Sequence, residues 1–229
     1  VIFVNPVDSE LLPVMHRAEY KALSGDRDWQ VAERVRCGVE PWYWLVNYVW
    51  TLQKDENVEG TKVSRFPSDE YLRQTFGVMF SESYLAIDKS RQMRLTWLLM
   101  AYALWHCQFR DNQEVVCQTK KESIADTELV KRAYFMAVNQ PVWLRPKFGK
   151  TDSSFCKLLF PKTSSMIRGI PSGGDQIRSY NPSITILDEA GFFEGEFEEC
   201  KTAALACCKD IKLVSTANGG EWGDFINAN

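Results

Sequence analysis

Three apolar runs in this sequence stop abruptly in polar, chemically capable residues. "LAID" runs into "KSRQMRLT" across 85–96, "TIL" into "DEAGF" across 185–192, and "KLV" into "STANG" across 212–219. Short apolar runs bounded this way read as strands of a buried parallel sheet. In such sheets ligands gather beyond the carboxyl ends of the strands. Three reactive strand ends in one sheet would therefore lie along one edge, which constrains both the fold and the place of any site.

The intervening sequence agrees. Residues 83–88, 114–119, 183–190 and 210–218 read as buried strands, and "SSFCKLLFP" with "SSMIRGIP" as a strand pair. After a loop over 90–95, the apolar run 95–109 reads as a core helix, and 121–138 as an amphipathic helix ending before Pro141. Strands alternating with helices imply an α/β fold with a largely parallel sheet flanked by helices. Upstream, "DEYLRQTFGVMF" reads as a helix and 28–36 as a surface helix with Arg34 and Arg36 outward. The five aromatics of 40–53 read as core rather than as a base-stacking platform, and the polar stretch 54–62 as a loop. We expect a helical and aromatic lead-in over 1–60 and the α/β core over 61–229.

Composition narrows the partners. A net charge of −3 excludes a uniformly basic nucleic-acid binder and leaves any polyanion contact to local patches. Seven cysteines without a CxxC pair, two of them adjacent at Cys207 and Cys208, fit reduced buried thiols rather than a disulfide framework or zinc site. His16 and His106 read as packing or surface residues. The longest apolar run is too short to cross a bilayer, so no membrane partner is expected. A chain opening at Val1 without Met is expected to be a fragment or an isolated domain.

The strand ends carry the chemistry. Asp188 and Glu189 supply two adjacent carboxylates, as phosphoryl transfer needs: one to hold Mg²⁺ and one to orient or deprotonate an attacking water. Solvated acids end many strands, so the pair gains meaning only from its neighbours. The stretch Lys89, Ser90, Arg91, Gln92, Met93, Arg94, Leu95, Thr96 is laid out like a phosphate-binding loop. Against GxxxxGK[ST], however, Lys89 and Arg94 replace the glycines and Leu95 the lysine, leaving Thr96 as the hydroxyl residue. Backbone N–H groups and the next helix's N-terminus can still bind phosphate, with Lys89, Arg91 and Arg94 supplying charge and Thr96 binding Mg²⁺. Ser215, Thr216, Ala217, Asn218 and Gly219 form a tip that can sense a γ-phosphate and move with it. Together the three ends point to an Mg²⁺-dependent NTPase.

In order and spacing, "KSRQMRLTW", "VVCQTKKESIADTELVKRAYFM", "QPVWLRP", "ILDEAGFF" and "STANG" resemble the N-terminal ATPase domain of the large terminase subunits of tailed double-stranded DNA bacteriophages. The resemblance covers roughly residues 60–220. It implies a P-loop NTPase core of the RecA-like, ASCE kind, a variant Walker A at 89–96 with Lys89 and Arg91 reaching the phosphates, and Thr96 and Asp188 on Mg²⁺. It implies Glu189 as the catalytic carboxylate, a coupling motif at Ser215–Gly219, and Arg178 acting in trans on a neighbouring subunit's ATP. The implied partners are double-stranded DNA, a portal protein on a procapsid, a small terminase subunit and further copies in a ring, within the host cell cytoplasm. Arg94 departs from the family's loop glycine. The family's adenine-recognising glutamine has no clean counterpart, Gln74 being present but Tyr71-Leu72 aligning better by spacing. The RNase H-like nuclease domain has none, so no nuclease activity is expected of these 229 residues.

Residues 118–147 hold six bases against three acids, and Lys120, Lys121, Lys131 and Arg132 are candidates for tracking a DNA backbone. The acidic "EGEFEE" at 194–199 is expected to face away from DNA. Two other readings stay open: a superfamily 1 or 2 helicase, whose "DE" and "STA" motifs are similar, and a non-hydrolysing nucleotide-binding scaffold, suggested by Arg94 and Leu95.

Overall fold

The computed structural model describes residues 23–54 and 61–228. The chain divides into two compact units, residues 1–74 with 134–146, and residues 75–133 with 147–229. Two of the three points of division, 74/75 and 133/134, fall inside helices.

In the first unit, helix α1 (Arg27–Val39) is capped by the Asp26 carboxylate, which accepts the Trp29 N–H at 2.8 Å. Helix α2 (Pro41–Tyr48) follows, then the antiparallel pair β1 (Trp50–Lys54) and β2 (Thr61–Arg65). The loop expected over 54–62 lies largely outside the described residues. Tyr43, Trp44, Tyr48 and Trp50 are buried, so the aromatic stretch is core. The Tyr43 and Tyr48 hydroxyls both donate to buried Glu33 at 2.6 Å, satisfying a carboxylate that burial would otherwise disfavour. Arg36 is outward, pairing with Glu40. Arg34 is not: it is half-buried and its guanidinium donates to the Trp143 carbonyl, which offers it a fixed acceptor.

The second unit carries the sheet. Its strands are β3 (Tyr84–Lys89), β4 (Glu114–Thr119), β5 (Ser153–Ser154), β6 (Lys157–Phe160), β7 (Ser165–Pro171), β8 (Ile184–Asp188) and β9 (Asp210–Thr216). They lie in the order β3-β9-β8-β4-β7-β6-β5. From β3 to β7 the pairings are parallel, and β6 and β5 add antiparallel, so the expected strand pair forms as β6 against β7. Along each strand alternate residues face opposite sides. Helices α3 (Glu70–Ser81) and α4 (Leu95–Phe109), a helix α5 over 122–138, then α6 (Gly174–Arg178), α7 (Phe197–Cys207) and α8 (Gly220–Ala228) complete the element list. Helix α4 packs on β4, β7 and β8. The opposite side of the sheet joins Val116, Leu187 and Leu213 to Phe193, Phe197 and Trp222 in one buried cluster. This is the expected α/β architecture.

The middle of α5, Ala125–Val130, is π-helical, one residue wider per turn than an α-helix. Strand β3 departs from expectation: it is half-exposed rather than buried, because it is paired on one side with β9 and ends the sheet. None of the seven cysteines is in a disulfide, and six are buried. His106 packs among Phe80, Tyr102 and Trp105, and burial lowers its pKa to about 4. Among the described residues no helix is long and apolar enough to cross a membrane.

Candidate nucleotide site

Strand β9 lies between β3 and β8, so the three reactive ends are immediate neighbours: Asp88 and Lys89 pair with Ser215 and Thr216, and Asp188 with Val214. Side chains from all three then meet. Lys89 Nζ donates to Glu189 Oε1 at 2.7 Å and to Thr216 Oγ1 at 3.0 Å. The Thr216 N–H donates to Glu189 Oε2 at 3.0 Å. Across from them, Thr96 Oγ1 donates to Asp188 Oδ2 at 3.0 Å. Lys89 is nearly buried, with 7% of its side chain exposed, whereas Glu189 keeps 34%.

The two carboxylates are pushed apart electrostatically. For Asp188, burial first and the neighbouring Glu189 second raise the pKa to about 6, against the opposing pull of the Thr96 hydrogen bond, Lys89 and Arg132. For Glu189, burial also pushes upward, but hydrogen bonds from Lys89 and Thr216 outweigh it and hold the pKa below the ordinary value. One acid is thus a buried carboxylate short of positive charge; the other is ionised, paired and solvent-accessible.

Local backbone geometry aims these groups. Glu189 sits in the left-handed region at φ 54°, which turns the chain sharply out of β8 into the 3-10 turn Ala190–Phe192. A non-glycine residue there costs roughly 1–2 kcal/mol, offset by its hydrogen bonds from Lys89 and Thr216. Gly191 follows because its N–H donates to Ser215 Oγ at 3.0 Å, and a Cβ there would lie only 2.8 Å from that oxygen. Its carbonyl accepts from Asn218 Nδ2 at 2.6 Å. The segment after β8 and the tip of β9 are therefore joined by hydrogen bonds.

In the loop, Gln92 and Arg94 have left-handed φ of 64° and 55°. Arg94 therefore adopts the conformation that a glycine would take without strain at this position. Ser90, Arg91 and Gln92 are exposed, and Met93 and Arg94 half-buried. Leu95 is 3% exposed and packs inward, so only its backbone faces the loop. Helix α4 starts at Leu95 with no side-chain cap on its first turn, leaving N–H groups for an anion. The Gln74 amide donates to Glu70 at 3.0 Å.

A divalent cation fits the Thr96 and Asp188 pair, two hard oxygen donors in contact beside a buried charge deficit. Among the described residues no group of three or more His, Cys, Asp or Glu could hold a metal. Mg²⁺ takes one or two protein ligands and completes its shell with water and phosphate.

Two features had no sequence signal. Trp222 Nε1 donates to Asp88 Oδ1 at 2.8 Å, tying α8 to the end of β3. Arg132, grouped by sequence with a surface patch, instead has its guanidinium 5.0 Å from the Trp97 ring, pairs with Glu128, and lies close enough to Asp188 for the charges to interact. Lys131 pairs with Asp126 and Lys120 with Glu194, so the acidic 194–199 stretch begins beside the basic one. Arg178, on α6, pairs with Asp175 at 2.7 Å and keeps 51% of its side chain exposed.

No protein-family model matches the chain. No curated protein matches it either. Solved structures do. The large terminase of bacteriophage HK97 aligns with a TM-score of 0.56 at 14% identity, over 78% of this chain and 37% of that one. The large terminase ATPase domain of Thermus phage P74-26 aligns with a TM-score of 0.46 at 15% identity, over 69% of this chain and 73% of that one. The chain thus spans little more than a third of the HK97 protein. With its reactive ends on β3, β9 and β8 and its helices on both faces, the chain has the P-loop NTPase fold and resembles the phage large terminases.

Proposed function

We propose that the chain is the ATP-hydrolysing motor domain of a viral DNA-packaging terminase, coupling hydrolysis to movement of double-stranded DNA into a procapsid. The observation that carries this reading is the meeting of Lys89, Thr96, Asp188, Glu189 and Thr216 at three adjacent strand ends. In this reading the N–H groups of residues 90–95 and the start of α4 hold the phosphates, helped by Lys89 and Arg91. Thr96 and Asp188 hold Mg²⁺, which when bound neutralises charge on the transferring phosphoryl group.

Lys89 has two uses. Without nucleotide it pairs with Glu189; an arriving phosphate competes for the ammonium and frees the carboxylate. Glu189, ionised at neutral pH, then orients and deprotonates the attacking water. Thr216, bonded to both partners, registers the exchange, and Ser215, Ala217, Asn218 and Gly219 carry it onward through the hydrogen bonds to Gly191. The exposed Arg178 serves a neighbouring subunit's ATP, where an arginine is worth about 10³–10⁵ in rate. This calls for a ring of copies, a portal on a procapsid, and a small terminase subunit as partners in the host cytoplasm. Lys120, Lys131 and Arg132 each pair with an acid, and together with Lys121 they are the residues of this stretch that would track a DNA backbone.

The test is ATP-dependent DNA uptake by the full-length protein on procapsids. We expect DNA-stimulated hydrolysis and DNA made resistant to nuclease. Strand displacement instead of uptake would favour a helicase, and ATP binding without turnover a scaffold.

A further inference from the structure

Gln118 is polar, lies on β4 with no exposed surface, and is opposite Leu187, one position before Asp188. Its Nε2 donates to the Pro171 carbonyl at 2.8 Å and to the Gly173 carbonyl at 3.0 Å. Its Oε1 has no hydrogen-bond partner among the described residues. Leaving one buried amide oxygen unpaired costs free energy, which the hydrogen bonds made by the two donors offset. Here both donors hold the turn over 171–173 that leads directly into α6 and Arg178.

The other side of the same turn is held by α7. Ser172 Oγ donates to Glu196, and the Gly173 N–H donates to Cys200 Sγ at 3.2 Å. Gly174 lies so close to α7 that a Cβ would sit 2.6 Å from Glu199 Cγ. The segment is therefore gripped between β4 and α7, while Arg178 at its far end stays exposed. We infer that Gln118 is a positioning residue that sets the aim of Arg178, fixing the arginine's pedestal to the strand beside β8. Only a side chain with two donors can do this, since the turn presents two carbonyls. A displacement of about 1 Å at a catalytic group can cost about 10²-fold in rate, so the pedestal's rigidity bears directly on the arginine's effect.

The inference rests on the proposed action of Arg178 in trans, and mixed full-length subunits separate the two. Glu189→Gln subunits retain the arginine but lack the carboxylate; Arg178→Ala subunits retain the carboxylate but lack the arginine. Mixing them is expected to restore ATP hydrolysis above that of either alone. Gln118→Met, similar in shape but without donors, is then added to one partner at a time. In the Glu189→Gln subunit, which supplies the arginine, it is expected to lower the restored rate by about tenfold or more. In the Arg178→Ala subunit, which receives it, the rate is expected to stay within about twofold, and this arm also reports that the variant folds. Equal loss in both arms, or no loss in the supplying arm, would overturn the role given to Gln118. A parent mixture that restores nothing would overturn the trans action of Arg178 and take the inference with it.

Discussion

Arg91→Ala is expected to lower ATP turnover by about 100-fold or more, the scale seen when one preorganised donor is lost from a transition-state site. Arg94→Gly is expected to leave turnover within about twofold. The two arginines lie three positions apart in one loop, but their settings differ. Arg91 is exposed at the loop's tip, free to turn toward a phosphate. Arg94 is half-buried in the left-handed conformation that caps α4. Glycine takes that conformation without a Cβ penalty, so the substitution relieves strain of about 1 kcal/mol and leaves the N–H groups in place. Steady-state phosphate release by the full-length variants decides the matter. Loss in Arg94→Gly with full activity in Arg91→Ala would mean that the loop's charges have been assigned the wrong way round.

Asp188→Asn is expected to abolish Mg²⁺-dependent turnover while making the metal-free protein more stable at neutral pH. Burial raises the Asp188 pKa from 3.8 to about 6, so the native state disfavours the charge that the unfolded chain carries freely. For an acid raised in this way the native state binds more protons between the two values. This residue's contribution therefore improves as pH falls through about 6 and is fully recovered below 3.8. Two units correspond to roughly 3 kcal/mol at most, which asparagine would regain at pH 7.5. Chemical unfolding in the presence of a chelator is expected to favour the variant at pH 7.5, with the difference vanishing near pH 4. A variant less stable than wild type at pH 7.5 would mean that the Thr96 hydrogen bond outweighs burial, and that the site has no charge deficit for a cation to fill.

Much of this arrangement was legible in the sequence because its signals are long or abrupt. The apolar runs ending at Lys89, Asp188 and Ser215 named three strands and their reactive tips, and parallel packing did the rest. What the runs did not encode is their order. "LAI" and "TIL" look alike, yet β3 closes the sheet half-exposed while β8 is buried throughout. Side-chain direction on α5 was hidden for another reason. The π-helical turn at Ala125–Val130 breaks the 3.6-residue phase, so the adjacent Lys131 and Arg132 are placed very differently, with 63% and 25% of their side chains exposed. A count of bases over 118–147 could not separate them. Gln118 fell unremarked within the strand read over 114–119, since its partners lie more than fifty residues away in a turn. Arg94 is the intermediate case: alignment marked the position as unusual, and only the backbone revealed that the residue adopts glycine's conformation.

The most direct test of a single Mg²⁺-dependent ATP site at these strand ends is phosphate release by the full-length protein, wild type against Glu189→Gln, with ATP binding measured in parallel. The variant is expected still to bind ATP but to release phosphate at least about 100-fold more slowly, as when a positioned general base is removed. Release at the wild-type rate by Glu189→Gln would contradict it.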